Sequence, residues 1–348
     1  MNAVARLRTS AGARTVLSVV AALVVFAFLL VARGSDPISG YRAMWNSITR
    51  DSNAFGDVLV RTTPYLLAAM AVVVPARAGL FNVGGEGQLL IGAVSSFAMA
   101  EMLGQGAPRA VTLVLMGLAA MAGGAAWAGL AAVLRTVTGT NETISTLLLN
   151  YLGTLVLGWL VFGRWKDPGS TGFPRTRALD AVERLPLLFG RVHLGIVVAI
   201  GAAVAVWLVL GRTAWGFKLG VLGGNPEAGR RAGFRTDALA TSALMVGGAL
   251  AGLGGMLQTA GVEGQLRPGI MAGYGFTGVL AAWMVRQHPL KAIASSFVLA
   301  AVAVGGNGLK IREGLSAASV NILMALMLLA VLGWGGARRG TPKKASAT

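Results

Sequence analysis

An all-α, polytopic membrane protein with about ten transmembrane helices and both termini cytoplasmic is the fold class this sequence predicts. Three observations carry the prediction. Hydrophobic residues make up 55% of the 348 positions and charged residues only 12%, about half the ~25% of an ordinary soluble domain. The apolar excess runs along the whole chain, at a mean hydropathy of +0.69, instead of marking one anchor. The formal net charge is +17, and the basic residues fall between apolar runs, where they set topology and touch anionic lipid; no folded basic face for nucleic acid is implied.

The apolar windows are 16–32, 58–76, 80–100, 110–133, 143–163, 192–211, 237–259, 273–287, 290–308 and 316–334, each near the ~20 residues that cross a bilayer. Arg6, Arg8 and Arg14 before the first window resemble a secretory leader. The run Val16–Ala32 is too long for a leader core, however, and Arg33-Gly34-Ser35-Asp36-Pro37 is no cleavage site, so the window reads as a retained span. The basic ends, Arg6–Arg14 and Arg338–Lys344, place both termini inside. Residues 33–57, with Trp45, Ile48 and Phe55 among polar neighbours, read as an interfacial helix. Residues 164–191 carry Pro168, Gly169, Gly172, Pro174 and Pro186 and read as an irregular extracytoplasmic loop. Residues 1–348 form one transmembrane domain in this reading. Windows 80–100 and 273–308 are interrupted by glycine and polar residues, which a bilayer tolerates only where protein or a water-filled cavity covers the backbone.

The chain has no cysteine, which removes disulfides, thiolate metal sites and a Cys nucleophile. His193 and His288 are far apart in sequence, against a histidine metal site. The phosphate-loop pattern G-x-x-x-x-G-K-[ST] does not occur, so no ATP chemistry is expected on this chain.

The segment RAGLFNVGGEGQLLIG, Arg77 to Gly92, sets Asn82, Glu86 and Gln88 among glycines at the edge of an apolar run. A carboxylate at membrane depth costs about 2.5–3.5 kcal/mol on insertion scales, so it is used or paired. On a helix, Asn82 and Glu86 would share a face; alternatively Gly84, Gly85 and Gly87 break the helix and free backbone groups. Glu86 then either lines a path or bonds to backbone, Asn141 or Gln88. Thr146 and Asn150 are an i,i+4 pair on the run opened by Asn141 and Glu142; they complete a polar lining or form interhelical hydrogen bonds worth ~0.6 kcal/mol each. Gln258 and Asn307 are lone polar groups in apolar runs, and His288 before Pro289 reads as a helix break.

The inside loop 212–236 has the grammar of a short helix. Asn225 is a good N-cap, Pro226 falls at the first helical position, and Glu227 favours the positive end of the dipole. Arg230 and Arg231 lie in the last turn, and Gly233 can stop the helix with positive φ. Such a knob is either a capped surface turn or a helix-in-groove contact for a cytoplasmic partner.

Four stretches carry a family resemblance, in order along the chain: RAGLFNVGGEGQLLIGA (77–93), NETISTLLLNY (141–151), GGNPEAGRRAGF (223–234) and GYGFTGVLAAWMVRQHPLKA (273–292). With them the sequence resembles the permease subunits of bacterial ABC importers. Within these it is similar to the nucleoside and simple-sugar group, related to ribose and branched-chain amino-acid permeases. Glu227, Ala228 and Gly233 fit the importer pattern E-A-A-x-x-x-G. Gly229 stands where that pattern has Ala, Arg231 replaces an aromatic residue, and Trp283 and Met284 occupy a normally aliphatic stretch.

The resemblance implies a multi-pass subunit of the bacterial inner membrane, importing nucleosides or, next, simple sugars. It implies a second permease subunit, two cytoplasmic ATPases carrying ATP and Mg, an extracytoplasmic binding protein, and no cofactor on this chain. Asn225, Pro226, Glu227, Ala228, Gly229 and Gly233 would form the ATPase contact. Asn82, Glu86, Gln88, Asn141, Thr146 and Asn150 are the pathway candidates. A branched-chain amino-acid permease and a secondary transporter or channel without an ATPase are the alternatives. A membrane enzyme would need paired carboxylates, a His cluster or a Ser/His set, and none is visible.

Overall fold

The computed structural model describes residues 11–50, 52–313 and 317–336. The basic ends, Arg6–Arg14 and Arg338–Lys344, lie outside the described side chains. Helices dominate: α1 (Ala11–Ala32), α2 (Pro37–Thr49), α3 (Ser52–Arg77), α4 (Gly85–Leu103), α5 (Arg109–Thr138), α6 (Glu142–Phe162), α7 (Gly195–Arg212), α8 (Ala214–Gly224), α9 (Pro226–Arg231), α10 (Thr236–Gln258), α11 (Tyr274–Met284), α12 (Pro289–Glu313) and α13 (Ala317–Gly336).

Among the described residues six helices are long and apolar enough to cross a membrane: α3, α5, α6, α7, α10 with its continuation to Glu263, and the Pro289–Lys310 part of α12. A seventh follows if Val19–Ala32 and α2, bent by 116°, count as one. The sequence windows count apolar residues and so overlook breaks. Residues 78–84 and 264–273 are not helical, which leaves α11 only 11 residues long.

By contacts, the chain forms two compact units. In the unit of residues 1–54 and 301–348, α1 packs on α13. Asp36 caps α2 by accepting from the Ile38 and Ser39 amides. The Tyr41 hydroxyl donates to the Leu23 carbonyl at 2.5 Å.

In the unit of residues 55–300, α4, α5 and α10 pack on one another backbone to backbone. A methyl at Gly92 would stand 2.3 Å from the Gly252 Cα, and one at Gly252 2.1 Å from the Ala120 carbonyl. Glycine therefore sets the spacing here, as it does where lipid supplies no hydrophobic drive between helices. Helix α3 is buried along most of its length.

The loop 164–191 is more ordered than its prolines suggest. It runs into a short hairpin, β1 (Leu187–Phe189) and β2 (Val192–His193), a departure from an all-helical chain. Backbone bonds from Thr176 to Leu266, Leu179 to Gly264 and Leu185 to Ala260 clamp it onto residues 260–266. Inside it Arg177 pairs with buried Glu183 at 2.8 Å and also with Glu101. Burial pushes the Glu183 carboxyl up, but the Arg177 hydrogen bond, the Asp180 amide and the Arg177 charge together hold it below the usual range.

His193 packs between Gly195 and Gly261, whose Cβ positions lie 2.6 and 2.7 Å from its ring. Its Nδ1 accepts from the Gly195 amide at 3.1 Å, and Nε2 is buried without a partner. Burial lowers its pKa to about 4. Below the usual 6.5 the unfolded chain binds a proton that the folded ring refuses until about pH 4. Stability therefore falls as pH drops through that window and is level above it. Thermal unfolding in detergent between pH 7.5 and 4 should show this slope, and His193→Gln should flatten it.

Candidate functional site

Two helices begin inside the 55–300 unit instead of at its ends, and both beginnings need partners. An unsatisfied N–H in a hydrocarbon surround costs several kcal/mol. Helix α3 stops in a Schellman turn: Gly79, at φ 76°, donates to Ala76, and Leu80 donates to Pro75. Residues 80–83 then run back without helix. Asn82 is therefore not on a helical face shared with Glu86: the break lies at residues 78–84, and Gly85 and Gly87 fall within α4.

Asn82 is fully saturated. Its Nδ2 donates to the Ala71 carbonyl and to Gln88 Oε1, both at 3.0 Å. Its Oδ1 accepts from the Gly84 amide and from Gln88 Nε2, also at 3.0 Å. A stripe on α6 at four-residue spacing satisfies the rest. Glu142 accepts from the Phe81 amide at 3.4 Å and pairs with Arg135 at 3.3 Å. Thr146 Oγ1 accepts from the Val83 amide at 3.2 Å. Asn150 donates to the Val83 carbonyl and accepts from the Gly87 amide, both at 2.8 Å. Asn82, Gln88, Thr146 and Asn150 are all buried in this network. Asn141 stands apart as the N-cap of α6, accepting from the Thr143 amide.

Glu86 turns the other way. Its two carboxylate oxygens accept from the Gly273 amide at 2.5 Å and the Gly275 amide at 2.7 Å, which cap α11 from a neighbouring helix. The approach is close: a Cβ on Gly275 would stand 2.1 Å from the Glu86 nitrogen. Of the readings open for Glu86, the structure shows the bond to backbone. Phe81 and Trp283 stack at 5.4 Å and fasten the same two segments together, which gives Trp283 a role.

The cap sets Tyr274, which lies between the two bonded glycines. Its ring meets Tyr65 edge-on at 5.2 Å, and the Arg61 guanidinium lies 5.8 Å from its centroid. None of Arg61, Tyr65 and Tyr274 was a sequence candidate. Arg61, a cation inside the apolar run 58–76, is the signal that marks this cluster. Gln258 is buried with Oε1 unpartnered, and Asn307 is exposed on α12.

The loop helix forms as its residues predict. Asn225 Oδ1 accepts from the Glu227 and Ala228 amides at 3.1 Å. Gly233, at φ 78°, closes the helix in a Schellman turn with Phe234 donating to Gly229. Glu227 is exposed and pairs with Arg230 at 2.8 Å and Arg231 at 3.1 Å. Hydrogen bonds from Arg230, then Arg231, hold its carboxyl below the usual range. Helix α8, which the glycine-rich sequence conceals, precedes α9. Its Gly223 presses on the end of α3, where a Cβ would stand 2.5 Å from the Arg77 carbonyl. Trp215 Nε1 donates to Ser242 and ties α8 to α10.

A family model described as "Branched-chain amino acid transport system / permease component" matches residues 54–332. The glucose ABC transporter permease protein TsgB13 of Haloferax volcanii is 37% identical over 326 residues, covering 90% of this chain and 85% of that one. The guanosine ABC transporter permease protein NupP of Bacillus subtilis is 28% identical, covering 90% and 91%. The nucleoside ABC transporter permease protein NupB of Lactococcus lactis is 26% identical, covering 88% and 87%.

Two outcomes test these local arguments. Glu86→Ala strands two amides and should lower stability by about 1–3 kcal/mol, seen as earlier thermal unfolding; Glu86→Gln, which keeps one acceptor, should lose less. Gly229→Ala adds a methyl whose nearest neighbour is 3.7 Å away. It should stabilise α9 by about 0.5–1 kcal/mol, read as slower hydrogen exchange of the 228–232 amides.

Proposed function

We propose, for a chain that belongs to the family of branched-chain amino acid transport system permease components, that it is the membrane subunit of an ATP-driven importer of nucleosides. Simple sugars are the next cargo. The observation that carries this is the Tyr65–Tyr274 pair beside Arg61, set by the capped start of α11. Tyr65 is buried, so it is the half-buried Tyr274 ring and the Arg61 guanidinium that suit a neutral, ring-bearing, polyhydroxylated molecule. Both oxygens of Glu86 already accept from backbone amides, so its charge serves the start of α11 before it could serve the ammonium of an amino acid. The sugar reading is kept because a glucose permease is 37% identical.

The protein is a multi-pass membrane protein. Counting the discontinuous elements, α1, α3, α4, α5, α6, α7, α10, α11, α12 and α13 would make the ten crossings of the sequence reading; an even number puts both termini on one side, and the basic ends favour the cytoplasm. Asn82, Gln88, Thr146 and Asn150 brace the start of α4, Asn141 caps the brace-bearing α6, and Glu86 positions α11 beside the cargo. A second permease chain faces this one, and a binding protein delivers cargo at the outer side.

Two ATPase subunits, which hold the ATP and Mg, dock on α9. ATP binding closes them, and their differential affinity for the two permease states shifts the population between outward and inward forms. The short contact from Gly223 to the end of α3 gives α8 and α9 a direct purchase on the helix that carries Arg61 and Tyr65.

Co-purification of the assembled complex with Glu227→Ala tests the coupling surface. Glu227 is exposed and its ion pairs contribute little to folding, so the variant should fold normally yet lose most of its ATPase. Uptake by the wild-type complex, with competition by guanosine, glucose and leucine, tests the cargo. Arg61→Gln and Tyr274→Ala should cut uptake at least tenfold while the ATPase stays bound. Competition by leucine alone would reassign the cargo to amino acids. Uptake without any ATPase would replace the importer by a secondary transporter.

A further inference from the structure

A cavity of about 510 Å³ opens at the end of the bundle that carries α8 and α9, away from the Arg61 cluster. The end of α3, the end of α7, α8 and the turn between α11 and α12 enclose it, with Arg77, Trp207, Arg286, Gln287, His288 and Pro289 among its walls. Two of these residues are cations, and no acidic residue lines the cavity. Among the described residues neither guanidinium has a carboxylate partner. The Arg77 guanidinium lies against α8, 3.0 Å from where a Cβ on Gly220 would stand. The His288 Nδ1 is buried with no hydrogen-bond partner.

The turn itself is strained. Arg286 and Gln287 hold φ of 53° and 54°, both left-handed. Their amides bond to Trp283 and Ala282 in the Schellman pattern, so Arg286 fills the place where a helix normally puts glycine. A side chain there is unfavourable, and strain of this kind gathers at ligand sites. Helix α12 begins at Pro289, so the cavity also meets a helix N-terminus.

We propose that this cavity binds a phosphate group. Two guanidinium forks, the Gln287 amide and an imidazole nitrogen offer donors from several sides, as a tetrahedral oxyanion requires, and the positive end of the α12 dipole favours its charge. The group is the phosphodiester of an anionic lipid or a free phosphate, including that of a nucleotide. Trp207 is 38% exposed and α7 is mostly unburied, so lipid can reach the site from the side. The proposal does not rest on the identity of the cargo.

The test uses the full-length chain in phosphatidylcholine nanodiscs, with melting temperature as the readout. Inorganic phosphate is titrated against sodium chloride of equal ionic strength, and separate discs contain phosphatidylglycerol. Wild type is compared with Arg77→Gln, Arg286→Gly and the double variant. Arg286→Gly relieves the left-handed residue, so its melting temperature without probe should equal or exceed that of wild type, and a lost response is then not unfolding. Stabilisation by inorganic phosphate beyond chloride, needing at least about tenfold more probe in the double variant, supports a soluble source. Stabilisation by phosphatidylglycerol alone, absent in the double variant, supports a lipid source. No stabilisation by either probe, or the same stabilisation in wild type and double variant, overturns the proposal.

Discussion

The central constraint is that a backbone amide inside a membrane must find an acceptor. A helix that runs the full depth solves this alone. A helix that starts part-way leaves its first amides bare, and two such starts lie among the described residues, at Gly85 and Tyr274. Side chains from other helices close both: Asn150 serves the Gly87 amide, and Glu86 serves Gly273 and Gly275. The polar residues that seem misplaced in an apolar sequence are thus the acceptors that make discontinuous helices possible. The discontinuity in turn places Tyr274 beside Tyr65 and Arg61, where a continuous span would carry only a smooth apolar surface.

The same economy links the two candidate regions. Residues 77–88 touch α8 at one end, through Gly223, and reach α6 and α11 at the other. A displacement of α8 therefore meets backbone within one van der Waals contact of α3. Backbone contacts between glycines have no flexible side chain to absorb a shift, and close-packed interiors transmit strain.

Much of this was legible in the sequence where the signal is local. Asn225-Pro226-Glu227 with Gly233 specifies a capped helix by its own hydrogen bonds, and it forms as read. Gly84, Gly85 and Gly87 pointed to a break, which lies at residues 78–84. What stayed hidden depends on partners distant in sequence. Nothing near Glu86 says that its acceptors serve residues 273 and 275. The glycines of α8 conceal a helix because packing, not propensity, supports it. The order of loop 164–191 rests on backbone bonds from Thr176, Leu179 and Leu185 to residues 260–266, which no local window contains. Apolar counting also placed windows over 80–84 as if they were helix, since hydropathy does not register a chain that turns back.

Glu86 has one further consequence. It lies in the first turn of α4 and accepts from the first turn of α11, so it faces two helix beginnings, each equivalent to about half a positive charge. One carboxylate offsets about one unit of positive charge, and the seam between the half-helices is close to electroneutral. An uncharged solute meets neither a well nor a barrier there. A cation meets two positive dipole ends beside a carboxylate whose charge they already offset. The arrangement that holds the broken helices together thereby also leaves little net charge at their seam.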